Sequence, residues 1–137
     1  MCTGNLHSIG EAISFHQRGV QHMPNGHPSM SRRLNELGLS FFAHFESMGN
    51  VSDLSDAILI LHQAVRLIPN GHPDMPGQLA NLGAAYNTRF NYTGNLFDLT
   101  EAISIQHRAV LLTPDGHPTL PSCLHNLGTS FLSRFRH

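Results

Sequence analysis

The chain has 137 residues, of which only 12% are charged, and its formal net charge is −1. All eight basic residues are arginines, so the sequence offers no strongly basic stripe for nucleic acid or an anionic membrane. No apolar run approaches the ~20 residues of a membrane span, and the N-terminus lacks the charged and apolar regions of a signal peptide. These features predict a cytoplasmic protein that binds neither nucleic acid nor membrane.

The sequence repeats with a period of 45 residues. The motif Asn-Gly-His-Pro begins at Asn25 and Asn70, and the variant Asp-Gly-His-Pro begins at Asp115. Three segments align without a gap and share thirteen identical columns, namely 3–47, 48–92 and 93–137. A period of this length indicates stacked supersecondary units rather than a fold with one central active site. We therefore predict one repeat domain over residues 3–137, made of these three units.

Each unit is predicted to contain a first helix that ends at a proline. In the middle unit, apolar residues recur at the spacing of one helix face, at Leu54, Ala57, Ile58, Leu61 and Val65. The other units repeat the pattern, although His16 and Gln106 replace Leu61. Because proline cannot donate the next backbone hydrogen bond, the helices should end near Pro24, Pro69 and Pro114.

A second helix should follow the Gly-His-Pro joint. Gly71 can take the positive φ of a turn, and Pro73 suits the first turn of the next helix. Pro76 and Pro121 should delay the regular part of that helix by a few residues. That helix carries an apolar face that includes Leu79 and Phe90, and Gly83 lies inside it. A glycine there costs ~1 kcal/mol relative to alanine, which implies close approach of a neighbouring helix. The predicted fold is all-α, a right-handed superhelical α-α solenoid of about six antiparallel helices.

These residues resemble tetratricopeptide repeats (TPRs) over essentially the whole chain. The Leu-Gly-x-x-Tyr signature of that family is matched by Leu82, Gly83 and Tyr86. Its two small residues and closing proline are matched by Ala57, Ala64 and Pro69. The Gly-His-Pro joint and the Leu-x-Asn-Leu run most resemble the long-period, kinesin-light-chain-like subtype, and the Asp-Leu-x-x-Ala-Ile phrase is similar to fungal arrays. The period of 45 departs from the usual 34.

The resemblance implies that the second helices line a concave groove that grips an extended or helical peptide. Family asparagines that hold the peptide backbone match Asn81 and Asn126, whereas Glu36 takes that column in the first unit. Helical spacing adds further candidates on the same face, namely Ala84, Ala85, Thr88, Thr129, Ser130, Ser133 and Ser40. The alternative interpretation is that both asparagines cap or bridge adjacent helices. Since the groove has no lysine, a neutral or mixed-polarity peptide is the expected ligand.

Metal binding and catalysis are disfavoured by spacing. Equivalent residues of successive stacked helices lie roughly 10 Å apart, whereas zinc ligands lie ~2.0–2.1 Å from the ion. The joint histidines His27, His72 and His117 therefore cannot share one ion. Cys123 and His125 are two residues apart on a predicted helix and point to different faces. We predict no enzymatic activity, no metal and no cofactor.

The sequence leaves two functional interpretations open. The first is a non-catalytic protein–protein interaction scaffold that binds a peptide or protein partner in the groove. The alternative is a regulatory or sensor repeat segment of a larger protein that carries an effector domain, protease-like or nucleotide-binding. An effector domain in the same open reading frame would distinguish them.

The ends of the repeat array carry one more expectation. Solenoids normally need polar terminal caps, yet Leu124, Leu127 and Phe131 of the last predicted helix would lack part of their cover. Two explanations remain open. The chain is part of a longer array, or open terminal helices of two molecules associate head to tail and extend into filaments.

Overall fold

A computed structural model describes residues 17–18 and 29–136, and within these ranges every regular element is a helix. The five complete helices are α1 (Met30–Met48), α2 (Val51–Leu67), α3 (Met75–Thr93), α4 (Leu96–Leu112) and α5 (Leu120–Arg136). The predicted all-α class is confirmed. Gln17 and Arg18 are helical, but the rest of the first predicted helix lies outside the described residues. Among the described helices, none has the length and apolar character needed to cross a membrane.

The short links between paired helices follow from a glycine and an asparagine. Gly49 ends α1 with a φ of 73°, and Gly94 ends α3 with a φ of 74°. Asn50 then caps α2 because its side-chain oxygen accepts a hydrogen bond from the Ser52 backbone N–H at 3.1 Å. Asn95 caps α4 in the same way. A link of two residues brings the second helix of each pair back along the first, so paired helices are antiparallel.

The Gly-His-Pro joint ends one helix and begins the next, as the sequence predicts. Helix α2 ends at Leu67, two residues before Pro69, and Gly71 takes a φ of 80°. The expectation that Pro73 lies in the first turn of the next helix is wrong, since α3 begins at Met75. Pro76 occupies that first turn instead. A proline is tolerated there because the first backbone N–H groups of a helix have no intrahelical acceptor.

The described residues form two compact units that divide between Ile68 and Pro69. In the first unit, α1 packs on α2, and their buried side chains include Leu37, Phe45, Leu54 and Leu61. The Ser31 hydroxyl also donates a hydrogen bond of 2.8 Å to the Ala64 carbonyl oxygen. The division into units 3–47, 48–92 and 93–137 stays a prediction, as does the right-handed superhelix.

In the second unit, α4 packs against both α3 and α5. A buried apolar cluster joins all three helices through Phe90, Leu99, Ile103 and Leu127. Burial of one such side chain contributes about 1.5–3 kcal/mol relative to an exposed one. Helices α3 and α5 also contact each other directly over a small area. These two helices carry most of the predicted groove residues.

Candidate functional site

The predicted groove residues lie on α1, α3 and α5, the helices that follow the Gly-His-Pro joints. Helix α3 carries Asn81, Ala84, Ala85 and Thr88, α5 carries Asn126, Thr129, Ser130 and Ser133, and α1 carries Glu36 and Ser40. Spacings of three, four and seven residues place each set on one side of its helix. The structure brings the α3 and α5 sets into one compact unit, whereas Glu36 and Ser40 belong to the other unit.

Burial separates the supporting residues from those a partner can reach. Ala85 and Ser130 are fully buried, with exposed fractions of 0%. Their side chains therefore support the surface rather than form it. The remaining six residues are half-buried or, at Thr129, exposed, and we call them the α3–α5 face: Asn81, Ala84, Thr88, Asn126, Thr129 and Ser133.

The α3–α5 face is uncharged and rich in hydrogen-bonding groups. The Thr88 hydroxyl donates to the Ala84 carbonyl oxygen at 2.9 Å, and the Thr129 hydroxyl donates to the His125 carbonyl oxygen at 2.9 Å. A hydroxyl that donates in this way still has oxygen lone pairs that accept hydrogen bonds, and asparagine both donates and accepts. The face can therefore hydrogen-bond the backbone N–H and C=O groups of a peptide.

An ion pair that sequence reasoning missed fixes α4 on α3. Arg89 donates from Nε to Oδ2 of Asp98 at 2.9 Å and from Nη2 to Oδ1 at 2.8 Å. Asp98 is almost fully buried. Its hydrogen bond raises the pKa of the Arg89 guanidinium, which also lies 5.6 Å from the centroid of the Tyr86 ring. Burial, followed by the negative charge of Glu101, raises the pKa of Tyr86.

The first unit has an equivalent contact at the same repeat positions. His44 Nδ1 lies 2.6 Å from Oδ2 of Asp53. In both units a basic residue precedes an aspartate by nine positions, and the aspartate is the third residue of the following helix. This recurring spacing is the sequence signal that could have found the pair. One period of 45 residues after Arg89, α5 repeats the basic residue as Arg134.

A second buried hydrogen bond joins α4 to α5. The Ser130 hydroxyl donates to Oε1 of Gln106 at 2.5 Å, and both side chains are buried. Gln106 occupies the column that Leu61 holds one period earlier, and its polar side chain therefore has a buried hydrogen-bond partner. Gln106 also packs against Gly83, where an added Cβ would lie 2.6 Å from its Cγ. The predicted close approach of a neighbouring helix at Gly83 is confirmed.

The described joint histidines stabilise the turns between helices by accepting backbone hydrogen bonds. Nδ1 of His72 accepts a hydrogen bond from the Asp74 backbone N–H at 3.0 Å, and Nδ1 of His117 accepts one from the Thr119 backbone N–H at 3.2 Å. His27 lies outside the described residues. Within ranges 17–18 and 29–136, no group of three or more histidine, cysteine or acidic side chains could hold a metal ion. The repeated histidine therefore has a structural explanation in both described joints.

Cys123 and His125 do not form a nucleophile and base. The Cys123 side chain is buried, and its Sγ lies 4.0 Å from the Thr113 hydroxyl. His125 is exposed. A nucleophile requires its base within hydrogen-bond reach, and two residues on one helix with such different exposure do not meet this requirement.

Comparison with known proteins supports the fold. No protein-family model matches the chain, and no curated protein matches it by sequence. Among solved structures, it is similar to the nearly identical TPR-like repeats of a Podosopora anserina protein described as a kinesin light chain, with a TM-score of 0.71 and 17% identity. The match covers 97% of this chain and 63% of that one. The predicted TPR-like helical-repeat fold is confirmed.

Proposed function

We propose that this protein is a non-catalytic interaction scaffold whose α3–α5 face binds a peptide segment of a partner protein. The TPR-like fold supports the general role, since such repeats present surfaces of paired helices to protein partners. The observation that carries the specific proposal is the composition of the α3–α5 face. It places two asparagines, three hydroxyl side chains, one alanine and no charge on two helices that contact each other.

The chemistry of this face selects the class of ligand. A charged terminal carboxylate or a phosphate would require cations, and none of the six side chains supplies one. Amide and hydroxyl groups instead suit the neutral backbone of a peptide. Ala84 leaves space between the polar groups, so small or medium side chains of the ligand can approach α3 closely. We therefore propose a neutral or mixed-polarity peptide as the partner segment.

A peptide-array screen followed by binding titrations tests the proposal. Peptides selected on the wild-type protein should bind at least about tenfold more weakly to the double variant Asn81→Ala and Asn126→Ala, because two hydrogen-bonding partners of the backbone are lost. Thr129→Arg should block binding through bulk and charge at an exposed position. Asn70→Ala is the matched control, because Asn70 is exposed but lies in the joint rather than on the face.

Folding and binding effects are separated by thermal unfolding of every variant. If Thr129→Arg and the double asparagine variant melt like the wild type and still bind the selected peptides with unchanged affinity, the α3–α5 face is not the binding site. The alternative of a sensor segment attached to an effector domain stays a prediction from the sequence resemblance.

A further inference from the structure

Helix α5 carries an apolar stripe that no described residue covers. Leu124, Phe131 and Phe135 are all exposed, Phe131 to 45% and Phe135 to 91%. Gly128 lies between them, and an added Cβ there would meet no atom within 4 Å. Spacings of four, seven and eleven residues put these positions on one side of the helix. We call Leu124, Gly128, Phe131 and Phe135 the α5 stripe.

The residues one period of 45 earlier, on α3, are buried. Leu79 and Phe90 of α3 are exposed by only 1% and 3%. Helix α4 covers this side of α3, since Gln106 packs on Gly83 and Leu99 belongs to the same apolar cluster as Phe90. The α5 stripe therefore has the sequence of a helix-binding surface, and no described residue covers it.

The first unit repeats this arrangement. Helix α2 covers α1, whose Leu34 and Phe45 occupy the first and last columns of the stripe and are buried. An added Cβ at Gly38 would lie 2.7 Å from Cγ of Leu61 on α2. Two described examples thus show what covers this face, and in both it is a helix of 17 residues with an asparagine cap.

A charge pairing that recurs in the two covered examples further defines which helix would fit the α5 stripe. In both covered copies a basic side chain contacts the aspartate at the third position of the covering helix, as His44 does with Asp53 and Arg89 with Asp98. Arg134 is the equivalent residue on α5. It is exposed, and among the described residues no ion pair engages it. A helix placed on the α5 stripe would bring its third residue to Arg134.

We infer that the α5 stripe binds an amphipathic α-helix of the α2 and α4 type, with an aspartate at its third position that pairs with Arg134. The rest of the occupant follows from α2 and α4, which continue from that aspartate with Leu-x-x-Ala-Ile. At 3.6 residues per turn, the stripe lies on the opposite side of α5 from Asn126, Thr129 and Ser133. The inference therefore concerns a second surface and does not depend on the peptide-binding proposal.

Charge complementarity also ranks the candidate occupants. The aspartate column reads Asp53 in α2 and Asp98 in α4, but Ser8 in the corresponding N-terminal segment of the chain. A second copy that docked this segment would leave Arg134 without a carboxylate. The occupant we commit to is a repeat helix that carries the aspartate, rather than the N-terminal segment expected from head-to-tail association.

The test uses the intact chain and a fluorescent, N-acetylated peptide of residues 95–112, which supplies the asparagine cap and Asp98. Fluorescence anisotropy should show saturable binding. Gly128→Ala should weaken it about tenfold, because the added methyl group would meet the docked helix as it would at Gly83. Phe131→Ser should weaken peptide binding more than Gly128→Ala does, because it removes exposed apolar surface from the site.

The ion pair is tested by a double-mutant cycle. Arg134→Gln in the protein and Asp98→Asn in the peptide should each weaken binding about threefold or more, and the combination should weaken it no further than either alone. Arg136→Gln removes the same charge two residues away and should leave binding unchanged.

Three results would overturn the inference. The first is no saturable binding of the 95–112 peptide to the wild-type chain. The second is binding that is insensitive to both Gly128→Ala and Arg134→Gln, which would place the peptide elsewhere. The third is equal or tighter binding of a peptide of residues 5–22, which would make the N-terminal segment of a second copy the occupant.

Discussion

The guanidinium of Arg89 donates two hydrogen bonds to the carboxylate of Asp98, at 2.9 and 2.8 Å, and thereby joins the C-terminal part of α3 to the first turn of α4. Asp98 is buried, while Arg89 is about a quarter exposed. A buried carboxylate that loses its cation is strongly destabilising, because its desolvation is no longer offset. The start of α4, with its positive dipole end, further favours the carboxylate at this position.

Arg89→Gln should therefore lower the free energy of unfolding by about 2–3 kcal/mol, below the largest values for buried pairs because Arg89 is partly solvated. Denaturant unfolding measures this change. Arg108→Gln removes an exposed arginine from α4 and should change stability by less than about 0.5 kcal/mol. Equal losses in the two variants would show that the buried ion pair does not stabilise the unit.

Alanine substitutions at three equivalent glycines should change the stability of the chain in different directions. Gly38→Ala should destabilise the chain by about 1–3 kcal/mol, because its Cβ would lie 2.7 Å from the buried side chain of Leu61. Gly83→Ala should also destabilise it, since Cγ of Gln106 would lie 2.6 Å away. Gly128→Ala should instead raise stability by up to about 1 kcal/mol, the helix-propensity difference, because nothing lies within 4 Å. Thermal unfolding of the three variants is the measurement, and destabilisation by Gly128→Ala would contradict the exposed stripe.

Gln106 and Ser130 should behave as a coupled pair. Ser130→Ala should cost about 1–3 kcal/mol, because Oε1 of Gln106 would lose its buried donor. Adding Gln106→Leu should recover most of the loss, since leucine and alanine are the residues found at these columns one period earlier, at Leu61 and Ala85. A double-mutant cycle of unfolding free energies checks the coupling. Strict additivity of the two substitutions would argue against the hydrogen bond.

Tyr86 should make stability fall at alkaline pH. Burial, the negative charges of Glu101 and Asp98, and an opposing effect of Arg89 together raise the pKa of Tyr86 above its usual value of 10.0. The folded chain then holds the phenolic proton more tightly than the unfolded chain. The contribution of Tyr86 to the free energy of unfolding is full below pH 10.0, and it is lost as pH rises through the raised pKa of the folded state.

Unfolding free energies measured between pH 8 and 11 test this expectation. Tyr86→Phe should reduce the alkaline loss of stability, whereas Tyr92→Phe, which removes an exposed tyrosine, is the matched control. An alkaline slope that is unchanged by Tyr86→Phe would contradict the effect.

Glycine and proline residues at helix ends made much of the fold predictable. Gly49 and Gly94 end helices because positive φ is cheap for glycine, and Pro69 must end α2 because it cannot donate the next backbone bond. The next helix starts at Met75, with Pro76 rather than Pro73 in its first turn. Both prolines satisfy the same local rule, so the rule alone does not choose between them. The capping role of Asn50 was also not identified, although it is a preferred cap residue.

The candidate site was less predictable because it depends on packing between helices. Helical spacing placed Ala85 and Ser130 on the groove face, but their burial follows from neighbours that a single-helix pattern does not contain. The Arg89–Asp98 pair likewise depends on how α4 lies on α3. Asn81 and Asn126 stay predicted peptide contacts, at half-buried positions that suit the role.

Peptide binding at the α3–α5 face is tested most directly by mapping the backbone amide NMR shifts on adding a peptide selected on the wild-type chain. Peptide binding at the α3–α5 face predicts the largest changes around Asn81, Thr88, Asn126 and Thr129, with little change along α2. Changes confined to other surfaces, with these four amides unmoved at saturation, would contradict it.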